Sequence, residues 1–333
     1  MLEHGGRLRQ AAQRYGIALA DWLDLSTGIA PWPWPLPAID ASAWQRLPEE
    51  DDGLEAAAAQ YYGAARVLPL PGSQAAIQSL PRLRQAGRVG VLSPCYAEHA
   101  HAWQRAGHDL CELGDHEVDA QLGSLDALVV INPNNPTGRR VPRERLLAWH
   151  AVLQRRGGWL VVDEAFMDAS AEHSLAGEAG QRPGLIVLRS FGKFFGMAGA
   201  RLGFAFGEAS LLDSLRETLG PWAVSGPTRQ VAQSLLGDTA AHAERRRALD
   251  VASARLAELL ARHALPAQGG CALFQWLLHP HAAALHEHLA RHGILVRLFA
   301  APSSVRFGLP PDEAAWVRLD AALAGFRPDE NPT

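Results

Sequence analysis

The chain has 333 residues, of which 48% are hydrophobic and 20% charged, and its formal net charge is −4. This composition is typical of a globular protein and gives no electrostatic reason to expect nucleic acid or an acidic membrane as a partner. No apolar run approaches the roughly 20 residues that span a bilayer, the charged first residues predict no secretory leader, and three separated cysteines predict reduced thiols in the cytoplasm.

The first elements are marked by proline, alanine and glycine. Residues 31–37 (PWPWPLP) exclude a helix or an interior strand, because proline fixes φ and lacks a backbone donor. An alanine-rich helix is predicted over about 53–62 and a short apolar stretch over 67–70. The next residues, 71–80, predict a tight turn that leads into a helix.

Four short apolar runs follow, rich in β-branched residues, and each ends at a polar or proline-bearing loop. A helical pattern over 143–157 lies between two of them. Strands that alternate with helices predict an α/β fold with a mainly parallel sheet covered on both faces. The predicted strands lie within 89–94, 127–133, 160–166 and 185–191.

The pattern changes in the last third of the chain. A helical pattern runs from about 226 to 263 with an interruption near Gly237. Beyond it, three apolar runs alternate with two helices, which is typical of a smaller α+β domain. We therefore predict a large domain over 46–224 and a small domain formed by both chain ends, 1–45 and 225–333.

One lysine stands out against the arginine-rich background. Of the 31 Lys and Arg residues, 30 are arginine, and the single lysine is Lys193. An ammonium group can lose its proton and attack a carbonyl, whereas a guanidinium group cannot. Lys193 is therefore a candidate nucleophile, the alternative being a surface lysine left by chance.

Other polar groups collect where ligands of open α/β sheets bind, beyond the carboxyl ends of the strands. The turn at 72–74 offers backbone N–H groups to a phosphate, and Asn134 and Asn135 offer amides to a phenolic oxygen. Asp163 ends an apolar strand and needs a positive partner. Each feature alone also fits an ordinary turn or strand end. Pyridoxal phosphate would account for them together, since it presents a phosphate, a phenolic oxygen, a pyridine nitrogen and an aldehyde for Lys193.

The stretches NPNNPTG, VVDEAF, SFGKFFGMAGARLGF and SVRFG occur in an order that resembles the fold-type I aminotransferase superfamily over essentially the whole chain. The resemblance implies that Lys193 bonds covalently to pyridoxal phosphate and that Asp163 pairs with its pyridine nitrogen. It also implies that Arg306 binds the substrate α-carboxylate. The remaining implied cofactor contacts are Asn135 to the ring oxygen, Tyr96 stacked on the ring, and Ser73, Gln74, Ser190 and Arg201 around the phosphate.

The opening residues narrow the resemblance. EHGGRLRQAAQRYGI, followed by WLDLSTGIAP, is similar to the opening of threonine-phosphate decarboxylases of the cobalamin pathway. This likeness implies decarboxylation of L-threonine O-3-phosphate to (R)-1-amino-2-propanol O-2-phosphate, and the superfamily resemblance implies a homodimer. The residues implied to bind the small phosphorylated amino-acid substrate are His4, Gly5, Gly6, Gly28, Arg297 and Arg306.

Three residues depart from the wider pattern. Phe166 stands where tyrosine is common, so a phenol hydrogen bond to the ring oxygen is missing. Leu47 stands where relatives often have a tyrosine that reaches the cofactor of the neighbouring subunit. Gly28 replaces the asparagine of some decarboxylases, which leaves only its backbone to contribute.

Two other functions remain open at this stage. The same residues would serve a histidinol-phosphate aminotransferase, in which the Cα–H bond breaks instead of the bond to the carboxylate. A non-catalytic regulator of this fold is the second alternative, although such regulators usually carry a DNA-binding module. No metal site is expected, because pairs such as His99 and His101 lie two residues apart and point to different faces of a helix.

Overall fold

Most predicted elements are present in the computed structural model, which describes residues 4–327. The long helical pattern predicted over about 226–263 is interrupted after Gly237, as predicted, and forms two helices. Within the described residues the helices are α1 Leu8–Tyr15, α2 Ser42–Gln45, α3 Leu54–Tyr62, α4 Ser73–Ser79, α5 Ala97–Arg105, α6 Val118–Gln121, α7 Arg143–Gln154, α8 Ala176–Ala179, α9 Phe191–Phe194, α10 Ala209–Leu219, α11 Gly226–Gly237, α12 Thr239–Arg262, α13 Ala282–Arg291 and α14 Glu313–Ala324.

The strands include the four apolar runs predicted from the sequence and several shorter or more polar ones. They are β1 Leu23–Asp24, β2 Leu68–Leu70, β3 Arg88–Leu92, β4 Asp109–Leu113, β5 Ala127–Ile131, β6 Trp159–Asp163, β7 Leu185–Ser190, β8 Gly203–Phe206, β9 Gly269–Cys271, β10 Phe274–Leu278, β11 Ile294–Leu295, β12 Arg297–Phe299 and β13 Ser304–Gly308.

The larger of two structural units is built on a seven-stranded sheet in the order β2-β8-β7-β6-β5-β3-β4. The five strands β3 to β7 are parallel, whereas β8 runs antiparallel to its neighbours β7 and β2. The central strands β5, β6 and β7 are almost entirely buried, as strands covered on both faces must be. Some of their apolar side chains, such as Val129, Val161 and Ile186, contribute to a hydrophobic core. The fold-type I α/β class predicted from the sequence agrees with this sheet.

The smaller unit contains a four-stranded antiparallel sheet in the order β12-β13-β10-β9 and a parallel pair, β1 and β11. The pair aligns Leu23 with Ile294 and Asp24 with Leu295. The chain's first strand is therefore held beside the strand that precedes Arg297. A small α+β arrangement of this kind is what the last third of the sequence predicts.

The division between the units differs from the boundaries placed on the sequence. The larger unit consists of Pro33–Asn135 and Arg140–Glu244, and the smaller unit contains the rest of the described chain, including Pro136–Arg139. From Pro33 onward the proline-rich segment belongs to the larger unit, where Trp34 packs against Phe194 and Phe195 with ring centroids 6.1 and 5.3 Å apart. Within residues 4–327, no helix combines the length and apolarity needed to cross a bilayer.

Candidate active site

Lys193 and Asp163 lie at the carboxyl ends of two neighbouring strands of the large sheet. Asp163 is the last residue of β6, and its parallel neighbour β7 leads directly into α9, which carries Lys193. Asp163 is 3% exposed, and its Oδ1 accepts a hydrogen bond from the Ala165 N–H at 3.0 Å. The Lys193 Nζ lies 5.5 Å from the centre of the Phe166 ring. The lone lysine and the strand-end carboxylate therefore both lie on the side of the sheet where the parallel strands end, as the sequence predicts.

His99 contacts Asp163 at the carboxyl end of the sheet, a contact that the sequence did not predict. Its Nε2 lies 2.9 Å from Asp163 Oδ2, and the histidine is only 1% exposed. The residue sits in the first turn of α5, three positions after Tyr96, so both side chains are brought toward the site by one helix start. The buried carboxylate is thus held by an imidazole and a backbone N–H, which fix its orientation.

A buried ion-pair network involves the residues next to Asp163 and Ser190 in the sequence. Arg189 on β7 binds Glu164 Oε2 at 2.9 Å and Asp168 Oδ1 at 2.8 Å, and each of the three is at most 1% exposed. Burial raises the pKa of Glu164, an effect that the Arg189 charge opposes. The network ties the residue after Asp163 to the residue before Ser190, so it fixes the spacing between the ends of β6 and β7.

A cradle suited to phosphate forms at the start of α4. Gly72 has φ of +79°, and a Cβ there would lie 2.8 Å from Arg201 Nη2, so the guanidinium rests against the glycine. A Cβ on Gly203 would overlap the Ser73 backbone nitrogen, and Gly203 pairs with Ser190 across β7 and β8. Ser73, Ser190 and Arg201 are therefore brought together around N–H groups at a helix start.

Arg201 itself adopts an uncommon backbone conformation, with φ of +53°. Residues other than glycine rarely adopt positive φ, and such strain is often found at binding sites. The Arg201 Nη1 donates to the Ala198 carbonyl at 3.2 Å, which helps to hold the side chain over the cradle.

Tyr96 and Gln74 interact with each other. The Tyr96 hydroxyl donates to Gln74 Oε1 at 3.2 Å, and Gln74 Nε2 donates to Glu98 at 2.9 Å. Burial and the nearby charges of Glu98 and Asp163 raise the pKa of Tyr96 to about 12, so it remains a neutral phenol at ordinary pH. The side chain of Gln74 is thus engaged by Tyr96 and Glu98, and its backbone N–H in the first turn of α4 is the group suited to a phosphate.

Asn135 lies at the end of a loop that the neighbouring asparagines stabilise. Asn132 exchanges side-chain hydrogen bonds with the backbone of Val141, at 2.8 and 3.2 Å. Asn134 Nδ2 donates to the Pro94 carbonyl at 2.8 Å. Asn135 is half-buried and ends this loop at the carboxyl end of β5. All residues that the sequence assigns to the cofactor lie in the larger unit.

The residues assigned to the substrate lie together in the smaller unit. Arg297 and Arg306 are directly opposite each other on β12 and β13. Burial, with a further contribution from the charge of Arg297, lowers the pKa of Arg306 to about 10, so Arg306 remains a cation at neutral pH. Two like charges at such a position oppose each other. The pair therefore favours a ligand with two anionic groups.

The N-terminal glycines also reach this region. The Gly6 N–H donates to Ser26 Oγ at 2.7 Å, and Arg306 Nη2 donates to the Ser26 carbonyl at 2.8 Å. Gly28 is buried two residues after Ser26. The structure thus brings the HGG segment, Gly28 and the arginine pair into one part of the smaller unit.

A groove of about 840 Å³ begins at these residues and continues between α1 and α13. Its lining includes four arginines and two histidines against one carboxylate, that of Glu287. These arginines and histidines are His4, Arg7, Arg14, His286, Arg291 and Arg297. In the described part of the chain, no three His, Cys, Asp or Glu side chains are grouped as metal ligands would be.

Comparison with known proteins identifies similar sequences over the full length. The family model "Aminotransferase class I and II" matches residues 40–322. A threonine-phosphate decarboxylase from Pseudomonas aeruginosa is 68% identical over 98% of this chain and 98% of its own. A threonine-phosphate decarboxylase from a Sinorhizobium species is 46% identical over 96% of this chain and 97% of its own.

Solved structures show the same fold at lower identity. The histidinol-phosphate aminotransferase from Sinorhizobium meliloti, in complex with pyridoxal-5'-phosphate, has a TM-score of 0.82 at 20% identity and covers 97% of both chains. The L-threonine-O-3-phosphate decarboxylase from Porphyromonas gingivalis has a TM-score of 0.75 at 20% identity, over 90% of this chain and 98% of its own.

Proposed function

The chain belongs to the aminotransferase class I and II family, and from this premise we propose that it decarboxylates L-threonine O-3-phosphate to (R)-1-amino-2-propanol O-2-phosphate. The observation that carries the proposal is the cross-strand pair of Arg297 and Arg306. Threonine phosphate bears a carboxylate and a phosphate, one for each guanidinium. Histidinol phosphate bears only the phosphate, so it fits the pair less well. The two decarboxylase relatives, 68% and 46% identical over almost the full length, support the same reaction.

Pyridoxal phosphate is the proposed cofactor, and the larger unit has the groups to hold it. The cradle of Ser73, Ser190 and Arg201 suits the phosphate, and the buried Asp163 suits a protonated pyridine nitrogen. Asn135 and Tyr96 would contact the ring oxygen and the ring face. When bound, this cofactor supplies an acceptor for the electron pair left on Cα as carbon dioxide departs.

The residues of the larger unit have distinct proposed tasks. Lys193 would hold the cofactor covalently and, as a free amine, would return a proton to the substrate Cα. Asp163 keeps a proton at the pyridine nitrogen, and His99 keeps the Asp163 carboxylate oriented for this purpose. Phe166 contributes an apolar surface under Lys193 and no hydroxyl.

The residues of the smaller unit would determine which bond breaks. Arg306 binds the α-carboxylate, where a planar fork matches two oxygens. His4, Arg297 and the backbone N–H of Gly5 bind the substrate phosphate, and Gly6, whose N–H is bonded to Ser26, shapes the turn that presents them. Holding a small substrate at both ends would fix the orientation of the bonds around its Cα.

The experiment that tests the reaction measures carbon dioxide. Purified protein with pyridoxal phosphate is incubated with L-threonine O-3-phosphate, with and without a 2-oxo acid. Release of carbon dioxide without the 2-oxo acid is the expected result. Amino transfer that depends on the 2-oxo acid and releases no carbon dioxide would indicate an aminotransferase, and no turnover in either condition would favour a non-catalytic protein.

The two anion sites are separated by matched variants. Arg306→Ala should weaken both L-threonine O-3-phosphate and L-threonine, because both carry the carboxylate. His4→Ala and Arg297→Ala should weaken the phosphorylated ligand by roughly 10- to 150-fold, as loss of a charge-assisted contact predicts, and leave L-threonine nearly unchanged. Equal losses for both ligands in these two variants would refute the phosphate assignment.

A cytoplasmic homodimer is the proposed form of the protein. Trp44 and Leu47, beside α2, and Trp222, before α11, are 70%, 62% and 54% exposed. The two helices pack against each other, so these side chains lie in one region of the larger unit, where exposed apolar groups are typical of an interface. The cytoplasmic location rests on the three widely separated cysteines of the sequence, a usage typical of reduced thiols. Sedimentation of wild type and Trp44→Asp tests the dimer, with dissociation of the variant as the expected result.

A further inference from the structure

Ser26 joins the two substrate-binding parts of the smaller unit. Its side-chain oxygen accepts the Gly6 N–H at 2.7 Å, and its carbonyl oxygen accepts Arg306 Nη2 at 2.8 Å. The residue is 1% exposed. One buried serine therefore connects the turn that follows His4 with the arginine on β13.

The glycines of the N-terminal segment fit this serine closely. A Cβ on Gly5 would overlap the Ser26 carbonyl oxygen, the same atom that Arg306 binds. Gly6 has φ of +76°, a conformation that glycine adopts without strain. Two successive glycines thus allow the backbone after His4 to lie directly against Ser26.

Asp24 fixes the direction of the serine hydroxyl. Its Oδ1 accepts both the Ser26 N–H at 2.9 Å and the Ser26 hydroxyl at 2.6 Å. Because the hydroxyl hydrogen is directed to Asp24, a lone pair of the oxygen remains for the Gly6 N–H. Asp24 pairs with Leu295 on β11, two residues before Arg297, so this arrangement is anchored to the sheet.

We propose that Ser26 is a positioning residue that fixes the N-terminal phosphate-binding turn relative to the carboxylate-binding Arg306, and thereby sets the preference for a phosphorylated over an unphosphorylated amino acid. This inference rests on the proposed function, because it assumes that the turn binds the substrate phosphate. Ser26 acts through Gly6 and Arg306 and need not touch the substrate itself.

The test measures binding of L-threonine O-3-phosphate and L-threonine to the cofactor-loaded enzyme by calorimetry. Ser26→Ala removes the acceptor for the Gly6 N–H and keeps the carbonyl that holds Arg306. We expect about 2- to 12-fold weaker binding of the phosphorylated ligand, as loss of one neutral hydrogen bond predicts, and a change of less than about 2-fold for L-threonine. The His4→Ala/Ser26→Ala double variant should lose little more than His4→Ala alone, since both act through one turn.

Two control variants separate positioning from stability. Ser253→Ala removes another buried hydroxyl of the same unit, one that donates to the Cys271 carbonyl at 3.0 Å and accepts from Gln275. It should lower the melting temperature without changing the ratio of the two affinities. Ser26→Thr keeps the hydroxyl and adds a buried methyl, so it should also lower stability and keep the ratio.

The outcomes distinguish the inference from the function on which it rests. If wild type binds both ligands equally, the phosphate assignment is wrong and this inference is wrong with it. If wild type prefers the phosphorylated ligand but Ser26→Ala weakens both equally, the proposed function stands and Ser26 has only a structural role. A selective loss for the phosphorylated ligand, reproduced by neither control, supports the inference.

Discussion

Replacing His99 by leucine tests how the orientation of Asp163 contributes to turnover. The Nε2 of His99 lies 2.9 Å from Asp163 Oδ2, and both residues are at most 3% exposed. A hydrogen bond to a charged group contributes about 1.5–3 kcal/mol, so its loss corresponds to roughly 10- to 150-fold in kcat if it acts through Asp163. The Ala165 N–H would remain as a donor to the other carboxylate oxygen, so we expect a smaller loss of kcat than removal of the Asp163 carboxylate itself would cause.

The assay is carbon dioxide release at saturating L-threonine O-3-phosphate, with bound cofactor measured by its absorbance. His99→Gln, which can still donate through its amide, should recover part of the activity. The matched control is His150→Leu. His150 lies in α7 of the same unit and is as buried as His99, and its Nε2 lies 3.0 Å from the Pro183 carbonyl oxygen. A His99→Leu enzyme that keeps its cofactor and turns over within about threefold of the control would refute the positioning role of His99.

Three further predictions concern the lysine, the buried arginine and the tyrosines. Lys193→Arg should prevent covalent fixation of the cofactor by borohydride, and a reduced adduct at any other residue in the mass spectrum would overturn the assignment. Arg189→Met should lower the free energy of unfolding by about 3–5 kcal/mol in denaturant titration, because two buried carboxylates lose their partner; a loss below 1 kcal/mol would contradict this. Burial raises the pKa of Tyr15 and of Tyr96 to about 12, so both should stay protonated at pH 10.5 in an ultraviolet titration. Since the unfolded chain ionises its tyrosines near pH 10, the free energy of unfolding should fall as the pH rises above 10.

The parts of the fold that follow from local pattern were predictable from the sequence. The runs that end at Asp163 and Ser190 are apolar because their strands are covered on both faces, so the strands and their chemistry at the carboxyl ends could be predicted together. Strand β4 (Asp109–Leu113) was missed, and its partial exposure is the reason. It is an edge strand with one neighbour, so its sequence is not continuously apolar.

The contacts of His99 and Ser26 could not be predicted for a different reason. His99 meets Asp163 across 64 positions of sequence, and Ser26 meets Arg306 across 280. The residue types along the sequence do not show which side chains distant in the chain will form hydrogen bonds. That depends on how the strands align in the folded sheet. The one local signal at His99 was its place in the first turn of α5, three positions after Tyr96, the residue that precedes this helix.

The cationic groove of the smaller unit has a consequence for the rate at which substrate arrives. The whole chain has a formal charge of −4, so at a distance it repels a phosphate dianion. The arginines of the groove reverse this effect locally, within a screening length of about 10 Å at 0.1 M salt. Added salt weakens the distant repulsion and the local attraction together. Capture of the substrate therefore depends on salt less steeply than in enzymes whose net charge and binding groove have the same sign.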